Sequence, residues 1–181
     1  MSRTANLTLM CGLSFSGKST LARLLAHELR AMVLSLDDIN EERGLYGGQG
    51  IPGEEWGKTL RIAEERAGAQ LRAGTDVIVD DTGSPRFVRD HWRDVASREK
   101  ARFSLVWVQM DTALQQKRLR QNRCVPVRND VTDEVMADHV SGFEPPTEEG
   151  AIAIDARDVR DPRHVRRIAD ELRRGDGRPA S

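Results

Sequence analysis

The sequence predicts an α/β fold with a five-stranded parallel sheet and helices on both of its faces. Five short apolar runs alternate along the chain with stretches whose apolar residues recur every three or four positions, which is the spacing of a helix face. Polar residues or glycines follow the first three runs, at the strand ends where ligands bind in parallel sheets. With 181 residues, the chain is long enough for one domain with a sizeable core.

The predicted elements follow one another without an internal repeat or a linker that would divide the chain. The predicted strands are 6–11, 32–36, 77–79, 103–110 and 151–154. The predicted helices begin at Ser19 and cover about 54–72, 86–100, 112–122, 135–143 and 165–172. Segments 40–53 and 124–130 are predicted loops. Residues 1–174 should form a single domain, and 175–181 should form a flexible tail.

The stretch from Gly12 to Ser19 reads G-x-x-x-x-G-K-S, the phosphate-binding P-loop, and it lies between a predicted strand and a predicted helix. Glycines let backbone N–H groups turn towards a phosphate, and the helix directs its positive end at the same anion. The motif predicts a P-loop NTPase fold. The predicted nucleotide contacts in this segment are Gly12, Ser14, Ser16, Gly17, Lys18, Ser19 and Thr20.

Two Asp-Asp pairs follow the second and third predicted strands. Phosphoryl transfer to an alcohol needs a carboxylate that accepts the hydroxyl proton, and either Asp37 or Asp38 suits that role. Asp80 suits a second role, the coordination of Mg²⁺ together with the Ser19 hydroxyl. Asp81 fits either role or a contact with the acceptor. A simpler reading is that each pair only caps the segment that follows it.

A basic cluster without an intervening acid occupies the next predicted helix end and loop, and it contains Lys117, Arg118, Arg120, Arg123 and Arg128. Mobile arginines that close over a transferring phosphoryl group neutralise its developing charge and exclude water. The cluster therefore predicts a lid at about 117–131. Arg118 and Arg123 are the predicted catalytic contacts. Arg120 is the next choice and is predicted to contact the nucleotide. A solvated helix end would also favour arginine.

The amino-acid composition argues against several classes of protein. Lys and Arg total 28, Asp and Glu total 29, and the net charge of −1 argues against a protein dedicated to bulk nucleic acid or anionic membranes. Two cysteines without disulfide or zinc spacing, and the absence of a leader or a long apolar run, predict a cytoplasmic protein without a membrane partner. Residues 45–49 read L-Y-G-G-Q, which is similar to the L-S-G-G-Q signature of transporter ATPases. They follow the second predicted strand and do not immediately precede the Walker-B strand, which argues against that class. The sequence has no N-K-x-D motif, which argues against a GTPase.

These motifs together resemble the small P-loop kinases related to polynucleotide kinase, chloramphenicol phosphotransferase and the zeta-toxin group. The narrower similarities lie in four segments: 35–40, 77–83, 117–119 and 143–146. The resemblance implies ATP, Mg²⁺ and γ-phosphate transfer to a hydroxyl, with Asp37 as the base that activates it. The chain departs from the pattern at Asn40, where polynucleotide kinases usually carry arginine, and at Gly83, where many relatives carry asparagine.

The sequence thus predicts an ATP-dependent kinase that phosphorylates a small-molecule hydroxyl. The alternatives are a polynucleotide 5′-hydroxyl kinase, which few aromatic residues for base stacking disfavour, and an ATP-binding switch without an acceptor. The predicted acceptor contacts are Asp38, Asn40, Arg43, Asp81, Thr82 and Arg86. The sequence identifies neither the acceptor nor the oligomeric state.

Overall fold

The computed structural model describes residues 4–46 and 50–175, which form five strands and seven helices. The strands are β1 (Asn6–Cys11), β2 (Met32–Ser35), β3 (Val77–Asp80), β4 (Arg102–Gln109) and β5 (Ile152–Asp155). The helices are α1 (Lys18–Leu29), α2 (Leu36–Glu42), α3 (Gly53–Arg72), α4 (Arg86–Arg98), α5 (Thr112–Cys124), α6 (Asp133–Ser141) and α7 (Pro162–Arg174).

The strands form one parallel sheet in the order β2-β3-β1-β4-β5, which confirms the predicted fold class. In the register, Leu9 of β1 is paired with Val79 of β3 on one side and with Leu105 of β4 on the other. Because all strands run in the same direction, their carboxyl ends meet at one edge of the sheet. The segment after the central strand is the P-loop, so it lies in the middle of that edge.

The two faces of the sheet bury separate apolar clusters, as the alternation of side chains along a strand requires. Leu7 and Leu9 of β1 belong to the cluster under α3 and α4, which includes the fully buried Trp92. Met10 of β1 belongs to the opposite cluster under α1 and α7, where it joins Leu21 and Ile168. Strand β1 is buried along its whole length, which fixes the position of the P-loop that follows it.

One predicted loop is wrong at its start. The sequence predicted a strand to Leu36 and a loop over 40–53, but β2 ends at Ser35 and helix α2 begins at Leu36. The Ser35 side chain caps this helix by accepting a 3.1 Å hydrogen bond from the backbone N–H of Asp38. Helix α2 is too short to show an apolar period, so the capping serine was its main sequence signal.

Smaller differences occur at the ends of other elements. Cys124 ends α5 instead of starting the predicted loop. Gly175 is the left-handed C-cap of α7, with φ 72°, and the rest of the predicted tail lies outside the described residues. No helix in the described ranges is both long and apolar enough to cross a membrane.

Candidate active site

A cleft of about 1630 Å³ lies at the carboxyl edge of the sheet. The P-loop forms its floor, and α2 with the end of β3 forms one side. The other side is formed by residues 117–131, which we call the arm, together with part of α6 and the segment after β5. The topology explains this arrangement, because each of these segments follows a strand end or packs beside one.

The P-loop backbone depends on its two glycines. Gly12 has φ 150°, and a Cβ atom there would lie 2.7 Å from the Val108 carbonyl oxygen. Gly17 has φ 95°, and a Cβ atom there would lie 3.0 Å from the Val159 side chain. Both glycines are therefore required by the local backbone and by close neighbours from β4 and from the segment after β5.

Helix α1 begins at this loop with its amino end open. Helices α2, α5, α6 and α7 are each capped by a side chain, namely Ser35, Asp111, Thr132 and Asp161. Gly17 caps α1 without any side-chain hydrogen bond, and the first turn contains no acid. The buried Ser16 hydroxyl has no hydrogen-bond partner among the described residues. Unused backbone donors, the helix dipole and this hydroxyl fit an anion such as a nucleotide phosphate.

Lys18 supplies a positive charge at the floor of the cleft. Its Nζ donates a 3.1 Å hydrogen bond to the Leu13 carbonyl oxygen, which holds the side chain across the loop. Burial lowers the pKa of Lys18, while Asp80 and Asp81 act against that effect. The structure therefore brings the P-loop lysine within electrostatic range of the β3 acids, as the sequence predicted.

The three acids around Lys18 differ in their surroundings. Asp37 lies in the first turn of α2, where withdrawal of water by the cleft walls raises its pKa, Arg128 opposes the rise and Asp80 adds to it. Burial also raises the pKa of Asp81, although its carboxylate accepts a 2.6 Å hydrogen bond from the Thr82 backbone N–H. Burial and repulsion by neighbouring acids thus keep the carboxyl groups of Asp37 and Asp81 more basic than free aspartate, which suits proton acceptance.

The donors that would hold Mg²⁺ lie in the same cleft. Asp80 ends β3, and Ser19 lies exposed in the first turn of α1. No cluster of three or more His, Cys, Asp or Glu side chains that could hold a metal occurs in the ranges 4–46 and 50–175. Mg²⁺ in nucleotide sites takes one or two carboxylates and completes its shell with phosphates and water, so a carboxylate with a hydroxyl fits this metal.

The two arginines predicted to be catalytic are bonded to protein oxygens. Arg118 Nη1 donates to the carbonyls of Phe15 and Ser16, each at 2.9 Å, and Nη2 donates to the Ala156 carbonyl at 2.7 Å. Arg123 pairs with Asp133 at 2.8 Å and with Asp130. Arg118 therefore fixes the P-loop to the segment after β5, and Arg123 fixes the arm to the start of α6. Their predicted contacts with phosphate stay predictions.

Arg128 is the arm residue that the sequence analysis placed in the basic cluster without assigning it a role. Its guanidinium lies 4.6 Å from the centroid of the Phe15 ring, and its charge acts on both Lys18 and Asp37. It makes no side-chain hydrogen bond with any described residue. Arg120 is exposed and lines the same cleft. The sequence around Arg128 shows no periodic pattern, so only its positive charge could have suggested a place in the cleft.

A small third core joins the arm to the P-loop. Phe15, Leu119, Val131 and Met136 bury one another between the P-loop, α5 and α6. Phe15 occupies a position where the P-loop motif allows any residue, which is why the sequence analysis gave it no function.

The predicted acceptor contacts divide into two groups. Asp38, Asn40, Asp81 and Thr82 line the cleft, whereas Arg43 and Arg86 do not. Arg43 donates to the Glu55 carbonyl at 2.8 Å and to Thr59 Oγ1 at 2.7 Å, and it is ion-paired with the Glu55 carboxylate. Arg86 is exposed on α4. The structure thus does not bring these two arginines to the site. Residues of α3 bind Arg43, and Arg86 points into solvent from α4.

Gly83 explains one departure from the family pattern. Its φ is 62°, and a Cβ atom would lie 2.6 Å from the Met10 carbonyl oxygen. Its own carbonyl accepts a 2.8 Å hydrogen bond from Arg89, which is 1% exposed and ion-paired with Glu149 at 2.6 Å. The chain therefore crosses β1 here too closely for an asparagine, and Arg89 holds the crossing in place.

Comparison with solved structures defines the class of fold. A putative kinase from Chloroflexus aurantiacus superposes with a TM-score of 0.72 at 19% identity, over 96% of this chain and 99% of that one. A gluconokinase from Sinorhizobium meliloti gives 0.63 at 18% identity, over 96% and 92%. The APS kinase CysC from Mycobacterium tuberculosis, solved with AMPPNP and APS, gives 0.65 at 20% identity, over 95% and 97%. The chain has the fold of P-loop kinases.

Sequence comparison then gives the family. The AAA_33 family model, described as an AAA domain, matches residues 7–146, which is most of the chain. The chain belongs to this family, in agreement with the resemblance found in its motifs. No curated protein sequence matches it significantly.

Proposed function

We propose that the protein is an ATP-dependent kinase that transfers the γ-phosphoryl group to a hydroxyl of a small molecule. The observation that carries this proposal is that Asp37 lines the same cleft as the open amino end of α1 and lies within electrostatic range of Lys18. A nucleotide switch needs a phosphate cradle, but it needs no further carboxylate in the cleft to accept a proton from an alcohol. The P-loop kinase folds of the gluconokinase and the APS kinase support the same reading.

The proposed chemistry uses residues from each wall. Lys18 and the amides of α1 bind the phosphates, and a metal held by Ser19 and Asp80 would neutralise their charge. The Asp37 carboxylate accepts the acceptor's hydroxyl proton while the acceptor oxygen forms a bond to the γ-phosphorus. The bond from that phosphorus to the bridging oxygen breaks, and ADP leaves. Arg128 is placed to balance negative charge between the two sides.

The test is transfer of label from γ-labelled ATP to a panel of sugars, nucleosides, amino alcohols and 5′-hydroxyl oligonucleotides. We expect transfer to at least one small molecule, and we expect Asp37→Ala to lower kcat by about 100-fold or more while ATP binding persists. Near-normal transfer by Asp37→Ala would exclude this base. ATP hydrolysis without transfer to any acceptor would favour the switch.

A polynucleotide 5′-hydroxyl kinase is the second candidate from the sequence. On α2, beside Asp37, Arg43 is not available for a nucleic-acid phosphate, because Glu55 and Thr59 bind it. Label on oligonucleotides alone would nevertheless replace the small-molecule proposal.

A further inference from the structure

Charge is divided unevenly along the cleft. Among the described residues, the acidic lining residues all lie on α2 or at the end of β3, namely Asp37, Asp38, Glu41, Asp80 and Asp81. Its basic lining residues lie in the P-loop, on α1, in the arm and after β5, namely Lys18, Arg23, Lys117, Arg118, Arg120, Arg128 and Arg160. In the strand order the acids follow β2 and β3, whereas the arm and Arg160 follow β4 and β5, with Lys18 and Arg23 between them after the central β1. The charge of Arg128 extends across the cleft to Asp37.

The acidic side is where the acceptor must bind if Asp37 is the base. The P-loop holds the phosphates in the middle of the sheet edge, and the basic side suits the rest of an anionic nucleotide. The acceptor then approaches from the β2 side, with its hydroxyl against Asp37. When Asp80 is taken up by a metal, Asp38, Glu41 and Asp81 still face this space.

The one arginine of α2 and its C-cap is already bound by neighbouring groups. Arg43 caps α2, but its guanidinium is bound by the Glu55 side chain, the Glu55 carbonyl and Thr59. Its side chain is 19% exposed. No other Lys or Arg from α2, α3 or the end of β3 is among the described residues that line the cleft. Residues 47–49, which the structure does not describe, are uncharged in the sequence.

A second, independent observation points to a ligand on this side. Asn40 lines the cleft, is 2% exposed, and its Nδ2 has no hydrogen-bond partner within the described part of the chain. Its Oδ1 accepts a 2.5 Å hydrogen bond from Thr59, which Arg43 in turn binds at 2.7 Å. This chain of contacts fixes the amide and leaves a donor for an oxygen of a bound acceptor.

We infer that the acceptor is a hydroxyl compound without a negative charge, and that a protonated amino group on it increases its use. Carboxylates facing the bound acceptor repel an anionic acceptor and attract an ammonium group, while Asn40 Nδ2 supplies a hydrogen-bond donor to one of its oxygens. This inference rests on the proposed kinase function, because it names the substrate class of the same site. It predicts poor use of sugar acids, nucleotides and nucleic acids, whatever their shape.

The experiment compares acceptors that share a skeleton and differ in charge. Glucosamine, glucose and gluconate form one matched set, and cyclitol and nucleoside sets are made in the same way. We expect kcat/KM for the amino member of the accepted set to exceed that of the anionic member by at least about tenfold. An anionic member used equally well or better would overturn the inference and leave the kinase function standing. No transfer to any member would overturn the proposed function and the inference with it.

A variant tests whether the acidic side causes the preference. Asp38→Asn removes one carboxylate from the cleft, and it should reduce the amino-to-anionic ratio of kcat/KM by about threefold. Asp170→Asn removes the same charge from an exposed position on α7 that does not line the cleft, and should leave the ratio unchanged. An unchanged ratio in Asp38→Asn, or an equal fall in Asp170→Asn, would contradict the assignment.

Discussion

The P-loop and the arm line the same cleft, but they differ in whether their polar groups already have hydrogen-bond partners in the protein. At the P-loop, α1 starts without a side-chain cap and the buried Ser16 hydroxyl has no partner in the described structure. In the arm, Arg118 and Arg123 already donate to carbonyl and carboxylate oxygens of the protein. Because α3 and α4 also start without a side-chain cap, the P-loop differs from the arm by combining an uncapped helix start with the buried Ser16 hydroxyl that lacks a partner among the described residues.

The largest effect should come from the floor of the cleft. Lys18→Ala should lower kcat/KM by about 1000-fold, because it removes a preorganised charge from the β/γ-phosphates. The measurement is phosphoryl transfer under single-turnover and steady-state conditions. Circular dichroism should show an intact fold, and an unchanged kcat/KM would mean that the P-loop is not where the phosphates bind.

The next effect separates two arginines of the arm. Arg128→Ala should lower kcat by about 100-fold, because its guanidinium has no hydrogen bond to lose within the described structure and acts on charge in the cleft. Arg123→Ala serves as the control, since it removes ion pairs at the base of the arm. Equal losses of kcat in both variants would show that arm stability, and not the charge of Arg128, is responsible.

A smaller effect should distinguish positioning from catalysis. Arg118→Ala should weaken ATP binding by about tenfold and lower the free energy of unfolding by about 2 kcal/mol, since the carbonyls of Phe15, Ser16 and Ala156 lose their donor. Calorimetric titration and denaturant unfolding measure the two quantities. A loss of kcat at saturating ATP, with normal stability, would instead assign Arg118 to the transferring phosphate.

The smallest effect concerns pH. Burial raises the pKa of Asp81, so the folded state binds its proton more tightly than the unfolded chain does, and this group makes the protein less stable as pH rises through that range. Asp81→Asn should therefore raise Tm at pH 7 by about 2 °C, and the gain should shrink as pH falls towards 4. A gain that grows at low pH would contradict the assigned direction.

Much of the fold could be predicted from the sequence because its signals are local. Each predicted strand is an apolar run of a few residues, and the P-loop fixes its own strand, turn and helix. Helix α2 was missed because seven residues are too few to show a period, and its Ser35 cap resembles any loop serine. The position of Asp37 was nevertheless predicted correctly at the carboxyl end of β2.

The candidate site was less predictable where its contacts are distant in sequence. Arg118 and the Phe15 carbonyl that it binds are separated by 103 positions, and nothing near either residue indicates the other. Arg43 is similar: its charge suggested an acceptor contact, but Glu55 and Thr59 on α3 bind it. Sequence indicates which side chains are charged, whereas tertiary packing decides which charges remain available.

Gly83 determines which substitutions must come before others at the end of β3. A side chain there would meet the Met10 carbonyl at 2.6 Å, so no substitution at position 83 is neutral while β1 keeps its present path. Replacing Gly83 by asparagine would first require a shift of β1 or the loss of the hydrogen bond from Arg89 to the Gly83 carbonyl oxygen. Those earlier changes disturb the strand that carries the P-loop, so the backbone near Thr82 and the backbone of the P-loop are structurally coupled.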